Sequence, residues 1–199
     1  MKRHPEHDTC EHLLTTGAQL CLSRGFTGMG LSELLATAKV PKGSFYHYFR
    51  SKEAFGVAML ERHYTLYNQQ MQQYFNQGDT TYRERIIGWY QQSLNYFCQH
   101  DKLVNCLTVK LSAEVCDLSE DMRTALDNGS AQVISHLANA LKKGRAEQSL
   151  HFSGDPDMQA HMMYSLWLGA SLQAKISRRA EPLECALAHV TQLLAEPVS

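Results

Sequence analysis

The densest group of side chains suited to binding a polyanion lies between positions 42 and 52. Hydroxyl, imidazole and ammonium groups donate hydrogen bonds to phosphate oxygens and base edges, and a glycine lets a backbone come close. Thr27 and Gly28, further towards the N-terminus, are further candidate anchors. The predicted nucleic-acid-contacting set is Thr27, Gly28, Lys42, Gly43, Ser44, Tyr46, His47, Tyr48 and Lys52.

A second kind of chemistry is available from six cysteines, which form no CxxC pair and are expected to be free thiols. A thiol reacts as thiolate, which a nearby cation or a helix N-terminus stabilises. Cys106 lies at the start of a predicted helix, with Lys110 one turn on. Lys175 is the lone charge within the mostly apolar segment 162–176. On the residues alone, a small buried thiol is the simpler interpretation of Cys106.

The remaining cysteines differ in their surroundings. Cys116 is the second candidate sensor, although the neighbouring Asp117 would raise its pKa. Three others lie on apolar helical stripes and are predicted to be core residues, namely Cys21, Cys98 and Cys185.

Signals for an enzyme or a cofactor site are missing from the sequence. We find no nucleophile, base and orienting group at a readable spacing, no phosphate-binding glycine loop and no paired metal ligands. The N-terminal group His4, His7, Cys10 and His12 is a weak metal candidate, because positions 10 and 12 diverge on a helix. We therefore expect no catalysis, no cofactor and no metal.

Composition and periodicity indicate an all-α protein. The 199 residues are 44% hydrophobic, and apolar residues recur at helical spacing almost throughout. No stretch is long and apolar enough to span a membrane, and residues 1–8 are polar, so we expect a cytoplasmic protein. The net charge is +2 over residues 1–62 and −3 over residues 63–199, which makes the N-terminal part the polyanion-facing part.

A first helix is predicted from a cap at Asp8 to about Arg24, where Gly25 ends it. Two short helices, at 32–38 and 41–46, are predicted to form a helix-turn-helix, packed through Leu34, Leu35, Val40, Phe45 and Phe49. A long helix follows from Ser51 to about Phe75. We place a domain boundary inside it near Arg62, which divides the chain into a DNA-binding domain, 1–62, and a helical sensor and dimerisation domain, 63–199. Helices are predicted further on at 81–98, 105–114, 119–143, 156–177 and 182–194.

The segment 31–55 resembles the DNA-binding domain of TetR-family repressors, above all in residues 42–49 followed by Ser51, Lys52 and Glu53. The resemblance implies a homodimer, paired through its last two long helices, that binds a palindromic double-stranded DNA operator. Lys39 departs from the pattern, because the family usually has glycine at this turn. In a left-handed conformation a lysine costs on the order of 1 kcal/mol.

Segments 105–123 and 166–178 resemble those of an electrophile-responsive repressor of the same family. This resemblance implies a regulator whose inducer is a reactive electrophile or oxidant that modifies a cysteine, here Cys106 with Lys175 as its partner. Three alternatives stay open: a regulator that binds a small ligand reversibly, a thiol-dependent enzyme, and a helical adaptor that binds protein.

Overall fold

The all-α fold predicted from the sequence is confirmed. The computed structural model describes residues 5–78, 80–103 and 106–194, without the side chains of residues 5–8 and 106. Within these ranges there is no β-strand, and no helix is both long and apolar enough to cross a membrane. The helices are α1 Pro5–Gly28, α2 Leu31–Ala38, α3 Lys42–Tyr48, α4 Lys52–Asn76, α5 Tyr82–His100, α6 Cys106–Cys116, α7 Glu120–Ala146, α8 Pro156–Ser177 and α9 Glu181–Leu193.

Local sequence signals account for the bounds of α8. At α8, the Asp155 carboxylate accepts the Met158 N–H at 3.0 Å, and Pro156 occupies the first turn. The structure therefore has this helix at its predicted bounds. The start of α1 differs: the helix begins at Pro5, ahead of the cap expected at Asp8. Gly25, with φ 77° and ψ 172°, interrupts the regular helix where the sequence predicted its end.

The helix-turn-helix is formed by α2 and α3. Lys39 ends α2 in the left-handed conformation, with φ 54° and ψ 40°, so lysine carries the backbone cost that glycine would avoid. Pro41 precedes α3 in extended conformation. The helix α3 continues to Tyr48, two residues beyond its predicted end.

The chain divides into two compact units, one of residues 1–66 with 106–129 and one of residues 67–105 with 130–199. The predicted domain boundary near Arg62 stays a prediction. However, α6 and the first third of α7 lie in the same compact unit as the helix-turn-helix. Hydrophobic periodicity along the chain does not reveal this grouping.

The core of the first unit contains three of the five residues that the sequence assigned to packing of the helix-turn-helix. Leu34, Phe45 and Phe49 are buried, whereas Leu35 and Val40 are half-buried. The second unit is centred on α5, α8 and α9, whose inner faces include Ile86, Tyr90, Leu94, Met163, Leu183 and Val190.

Replacing Lys39 by glycine should stabilise the protein. The left-handed backbone at this position carries a steric cost that glycine removes, so we expect the free energy of unfolding to rise by about 1 kcal/mol. Urea denaturation followed by circular dichroism measures this change. Lys39→Ala is the matched control, because alanine loses the charge but keeps the Cβ atom. An equal gain in both variants would contradict the backbone explanation.

Candidate DNA-binding surface and sensor thiols

Three phenylalanine rings hold α3 in place. Phe45 is fully buried, and its ring centroid lies 5.3 Å from that of Phe49 and 5.6 Å from that of Phe55 on α4. Phe49 and Phe55 meet edge to face at 5.1 Å. Because these rings occupy the inner side of α3, the other side of this seven-residue helix faces solvent.

The exposed face of α3 presents the residues that the sequence proposed for DNA contact. Lys42 and Tyr46 are one turn apart, with the Lys42 Nζ atom 6.0 Å from the Tyr46 ring centroid. Gly43 and His47 form the adjacent row and are also exposed. A Cβ atom at Gly43 would meet nothing within 4 Å, so the surface is open there to an approaching backbone. Ser44 and Tyr48 are half-buried at the edges of this face.

The predicted anchors Thr27 and Gly28 are the last two residues of α1 and lie in the turn that residues 25–30 form between the regular part of α1 and α2. Both are exposed. Lys52, at the start of α4, is brought to this turn: its Nζ donates to the Thr27 carbonyl oxygen at 3.4 Å and lies 4.8 Å from the Phe26 ring centroid. The structure thus joins Thr27 and Lys52, which stand 25 positions apart in the sequence.

One residue at this turn was missed by sequence reasoning. The Glu114 carboxylate, on α6, accepts hydrogen bonds from the backbone N–H groups of Phe26 and Thr27. Partial burial acts to raise the pKa of Glu114, but hydrogen bonds from Thr27 and Phe26 and the charge of Lys110 outweigh burial and lower it. Nothing in the spacing of the chain links position 114 to the turn.

The described thiols are of different kinds. Cys21 is fully buried, its Sγ lies 3.8 Å from the Met29 sulfur, and burial raises its pKa to about 12. It is thus a core residue, as predicted. The core predictions for Cys98 and Cys185 are wrong, because both are exposed. The buried stripes of α5 and α9 pass beside them, through Phe97 and through Ala186.

The proposed sensor pair is only partly described. The backbone of α6 begins at Cys106, whose side chain lies outside the described residues. Lys175 is half-buried in the last turn of α8, where a cation is favoured by the helix dipole. Cys116 is half-buried at the other end of α6. The pairing of Cys106 with Lys175 stays a prediction.

The metal candidate at the N-terminus gains no support. His4 and His7 lie outside the residues whose side chains are described, and no group of three potential ligands occurs among those that are. His12 has another partner, since its Nε2 atom lies 2.9 Å from the Ala38 carbonyl oxygen at the end of α2.

Comparison with known proteins identifies both parts of the chain. Residues 13–59 match the profile of bacterial regulatory proteins of the tetR family, and residues 83–190 match that of the tetracyclin repressor-like C-terminal domain. The chain belongs to the TetR family. It is 66% identical, over 99% of both chains, to the HTH-type transcriptional repressor NemR of Escherichia coli strain K12.

Two further comparisons support this assignment. The crystal structure of E. coli NemR in its reduced form superimposes with a TM-score of 0.93 at 65% identity, covering 97% of this chain and 100% of that one. The HTH-type transcriptional repressor DhaR of a Mycobacterium species is 31% identical over 92% of this chain and 91% of its own. The protein is therefore a helix-turn-helix transcriptional repressor, and the expectation of a regulator rather than an enzyme is confirmed by its family.

Replacing Lys42 by glutamine should weaken DNA binding and its dependence on salt. If Lys42 neutralises one phosphate, its loss lowers the slope of log affinity against log salt concentration by about 0.9. Fluorescence anisotropy measures this slope over a series of salt concentrations, with a DNA fragment that the protein has selected from a genomic pool. Lys142→Gln is the control, because Lys142 is exposed on α7 and bonded to Asp157. An unchanged slope in Lys42→Gln would remove this residue from the DNA-contacting set.

Proposed function

We propose that this repressor binds a palindromic operator as a homodimer and releases it when an electrophile or an oxidant modifies Cys106. The proposal is carried by the 66% identity to NemR over nearly the whole chain, together with the reduced form in which the NemR crystal structure was determined. It places the protein in the cytoplasm, with the DNA that it regulates.

The exposed face of α3 supports operator binding. Its short N-terminal residues and its ammonium, hydroxyl and imidazole groups suit contacts to base edges and phosphates. A homodimer offers two such helices related by a twofold axis, and this symmetry requires a palindromic site.

Apolar side chains on α8 support the homodimer. Met158, Met162 and Ile176 are each more than half exposed in the single chain, and Leu166 and Leu172 are exposed to a smaller degree. Five large apolar residues on one helix are costly to leave in water. A second copy of the same helix would cover them, in agreement with the family's pairing through the last two long helices.

The position of Cys106 supports its role as the sensor. At the first residue of α6, the partial positive charge of a helix N-terminus favours a thiolate, and Lys110 follows one turn later. Cys21 is a poor candidate for the sensor thiol, since burial raises its pKa and keeps it protonated. Cys10 is likewise disfavoured, because burial and the adjacent Glu11 raise its pKa.

The chemical step with an activated alkene is an addition. The thiolate sulfur forms a bond to one alkene carbon, the π electron pair moves to the other, and that carbon then takes a proton from water. No group leaves and no oxidant is needed. The adduct lowers operator affinity only if it is more stable in the conformation that does not bind DNA.

Two measurements on the purified protein test these steps in order. Selection of genomic fragments bound by the protein tests specific DNA binding and the palindromic symmetry of the site. If no specific fragment is retained, the alternative of a helical adaptor that binds protein is favoured. Limiting N-ethylmaleimide followed by peptide mass spectrometry then identifies the thiol that reacts first. The proposal requires Cys106 to be among the first sites, ahead of the exposed Cys98 and Cys185.

Replacing Cys106 by serine should abolish release. The variant should bind operator as the wild type does, because serine is close in size, yet N-ethylmaleimide should no longer displace it. Fluorescence anisotropy before and after treatment measures release. Cys116→Ser, at the other end of the same helix, is the matched control and should still respond. Release that persists without any cysteine would contradict thiol sensing.

Replacing Lys175 by glutamine should slow the alkylation of Cys106. If Lys175 stabilises the thiolate, its loss raises the thiol pKa and lowers the alkylation rate near neutral pH, by at most about tenfold for each unit of that rise. The pH dependence of the alkylation rate measures the pKa directly. Lys110→Gln is the control, and a shift in that variant alone would make Lys110 the partner instead.

Reversible binding of a small ligand is the second candidate for the signal that releases DNA. The second unit contains an aromatic cavity lined by Tyr67, Trp89, Tyr90, Tyr164 and Trp167 among others. Its volume of about 30 Å³ is enough for roughly two water molecules, at the 10–15 Å³ that each needs. Typical small-molecule sites measure roughly 300 Å³ or more, so the rings would have to move to admit a ligand.

A further inference from the structure

The turn between α1 and α2 forms a binding site for one carboxylate, which is that of Glu114. The Oε2 atom accepts the Phe26 N–H at 3.1 Å, and the Oε1 atom accepts the Thr27 N–H at 2.6 Å. These two consecutive amides follow Gly25, whose positive φ turns the backbone towards α6. Successive amides in such a turn bind an anion.

Gly25 shows how closely the turn and the carboxylate fit. A Cβ atom at this position would lie 2.7 Å from the Glu114 Oε2 atom, so the carboxylate would have to move away from it. The positive φ of 77° disfavours side chains at the same residue. Glycine thus serves both the backbone conformation and the approach of Glu114.

The charge of Glu114 is maintained at neutral pH, since its pKa is lowered by Thr27, Phe26 and Lys110 in spite of partial burial. Hydrogen bonds from backbone amides to an ionised carboxylate are stronger than those between neutral groups. The contact is therefore a specific restraint on the turn rather than an incidental surface contact.

The restrained residue is one of the predicted DNA anchors. Thr27 is exposed, its amide is held by Glu114, and its carbonyl oxygen accepts from Lys52 at 3.4 Å. The turn is thereby held by α6 and by α4. These bonds hold the backbone of Thr27 from both sides, and the Thr27 side chain bonds to the same carboxylate.

We propose that Glu114 is a positioning residue for operator binding, which holds the turn of Thr27 and Gly28 in its DNA-contacting conformation and connects it to the helix that begins at Cys106. This rests on the proposed function. A displacement of α6 removes the acceptor from the two amides, so the turn and its phosphate contact become less ordered. The Cys106 end of α6 then influences the turn through this carboxylate.

The test compares Glu114→Gln with Glu120→Gln. Glutamine keeps the size of Glu114 but loses its charge and one acceptor, so operator affinity of the reduced protein should fall about tenfold, the scale of one charge-assisted hydrogen bond. Glu120 is an exposed glutamate at the start of α7, paired with Arg123, and its variant should bind as the wild type does. Equal affinity of the two variants would overturn the proposal.

A double-mutant cycle separates positioning from general stability. If Glu114 acts through Thr27, the effect of Glu114→Gln should largely disappear in a Thr27→Ala background, so the two losses are not additive. Additive losses would mean that Glu114 does not act through Thr27, and would contradict the proposal.

Amide hydrogen exchange observed by nuclear magnetic resonance gives a readout that needs no DNA. The Thr27 amide should be protected in the wild type and in Glu120→Gln, and should exchange at least tenfold faster in Glu114→Gln. Equal exchange in all three proteins would overturn the proposal even if Glu114→Gln is less stable.

The experiments distinguish failure of the Glu114 proposal from failure of the proposed function. If the wild type binds no selected operator, the proposal of operator binding fails, and the role of Glu114 fails with it. If the wild type binds but does not respond to alkylation, only sensing through Cys106 fails. The link to α6 further requires that alkylation change operator affinity less in Glu114→Gln than in the wild type.

Discussion

The candidate DNA-binding surface, which is the exposed face of α3, depends on the burial of one aromatic ring. Phe55, on α4, is fully buried between Phe45 and Phe49, and it lies against Gly17 of α1, where an added Cβ atom would come within 2.3 Å of the ring. Three helices therefore share one side chain as their contact. Because interiors are close-packed, a change in the position of Phe55 displaces α3 and its exposed residues.

The same packing allows the rest of the first unit to act on the helix-turn-helix. Gly56, next to Phe55, lies under the Phe26 ring and the Met122 side chain, so α4 meets the α1–α2 turn and α7 at one point. Two polar contacts lie near it: Glu114 with the turn, and the Ser119 hydroxyl, which donates to Glu53 at the start of α4. Ser119 also accepts the Met122 N–H and so begins α7. Helices that are distant in sequence thus restrain both sides of the DNA-binding surface.

The thiols illustrate why burial and reactivity must be considered separately. Cys21 is inaccessible and held as a neutral thiol by burial, whereas Cys98 and Cys185 are accessible but lie beside the buried faces of α5 and α9. Accessibility alone does not make a sensor, because the reactive species is the thiolate. A sensor thiol must therefore combine access with a stabilising positive charge, and the proposal of Cys106 for this role rests on its position at the start of α6.

The sequence by itself determined the order and approximate bounds of the helices and the outward face of α3, because capping residues, proline, glycine and a 3.6-residue period act between near neighbours. The tertiary structure alone decided that residues 106–129 join the helix-turn-helix and that Glu114 binds the turn. Glu114 stands 88 positions from Phe26, and no local rule connects residues so far apart. The exposure of Cys98 and Cys185 was decided in the same way, since one helical step of 100° separates a buried stripe from solvent.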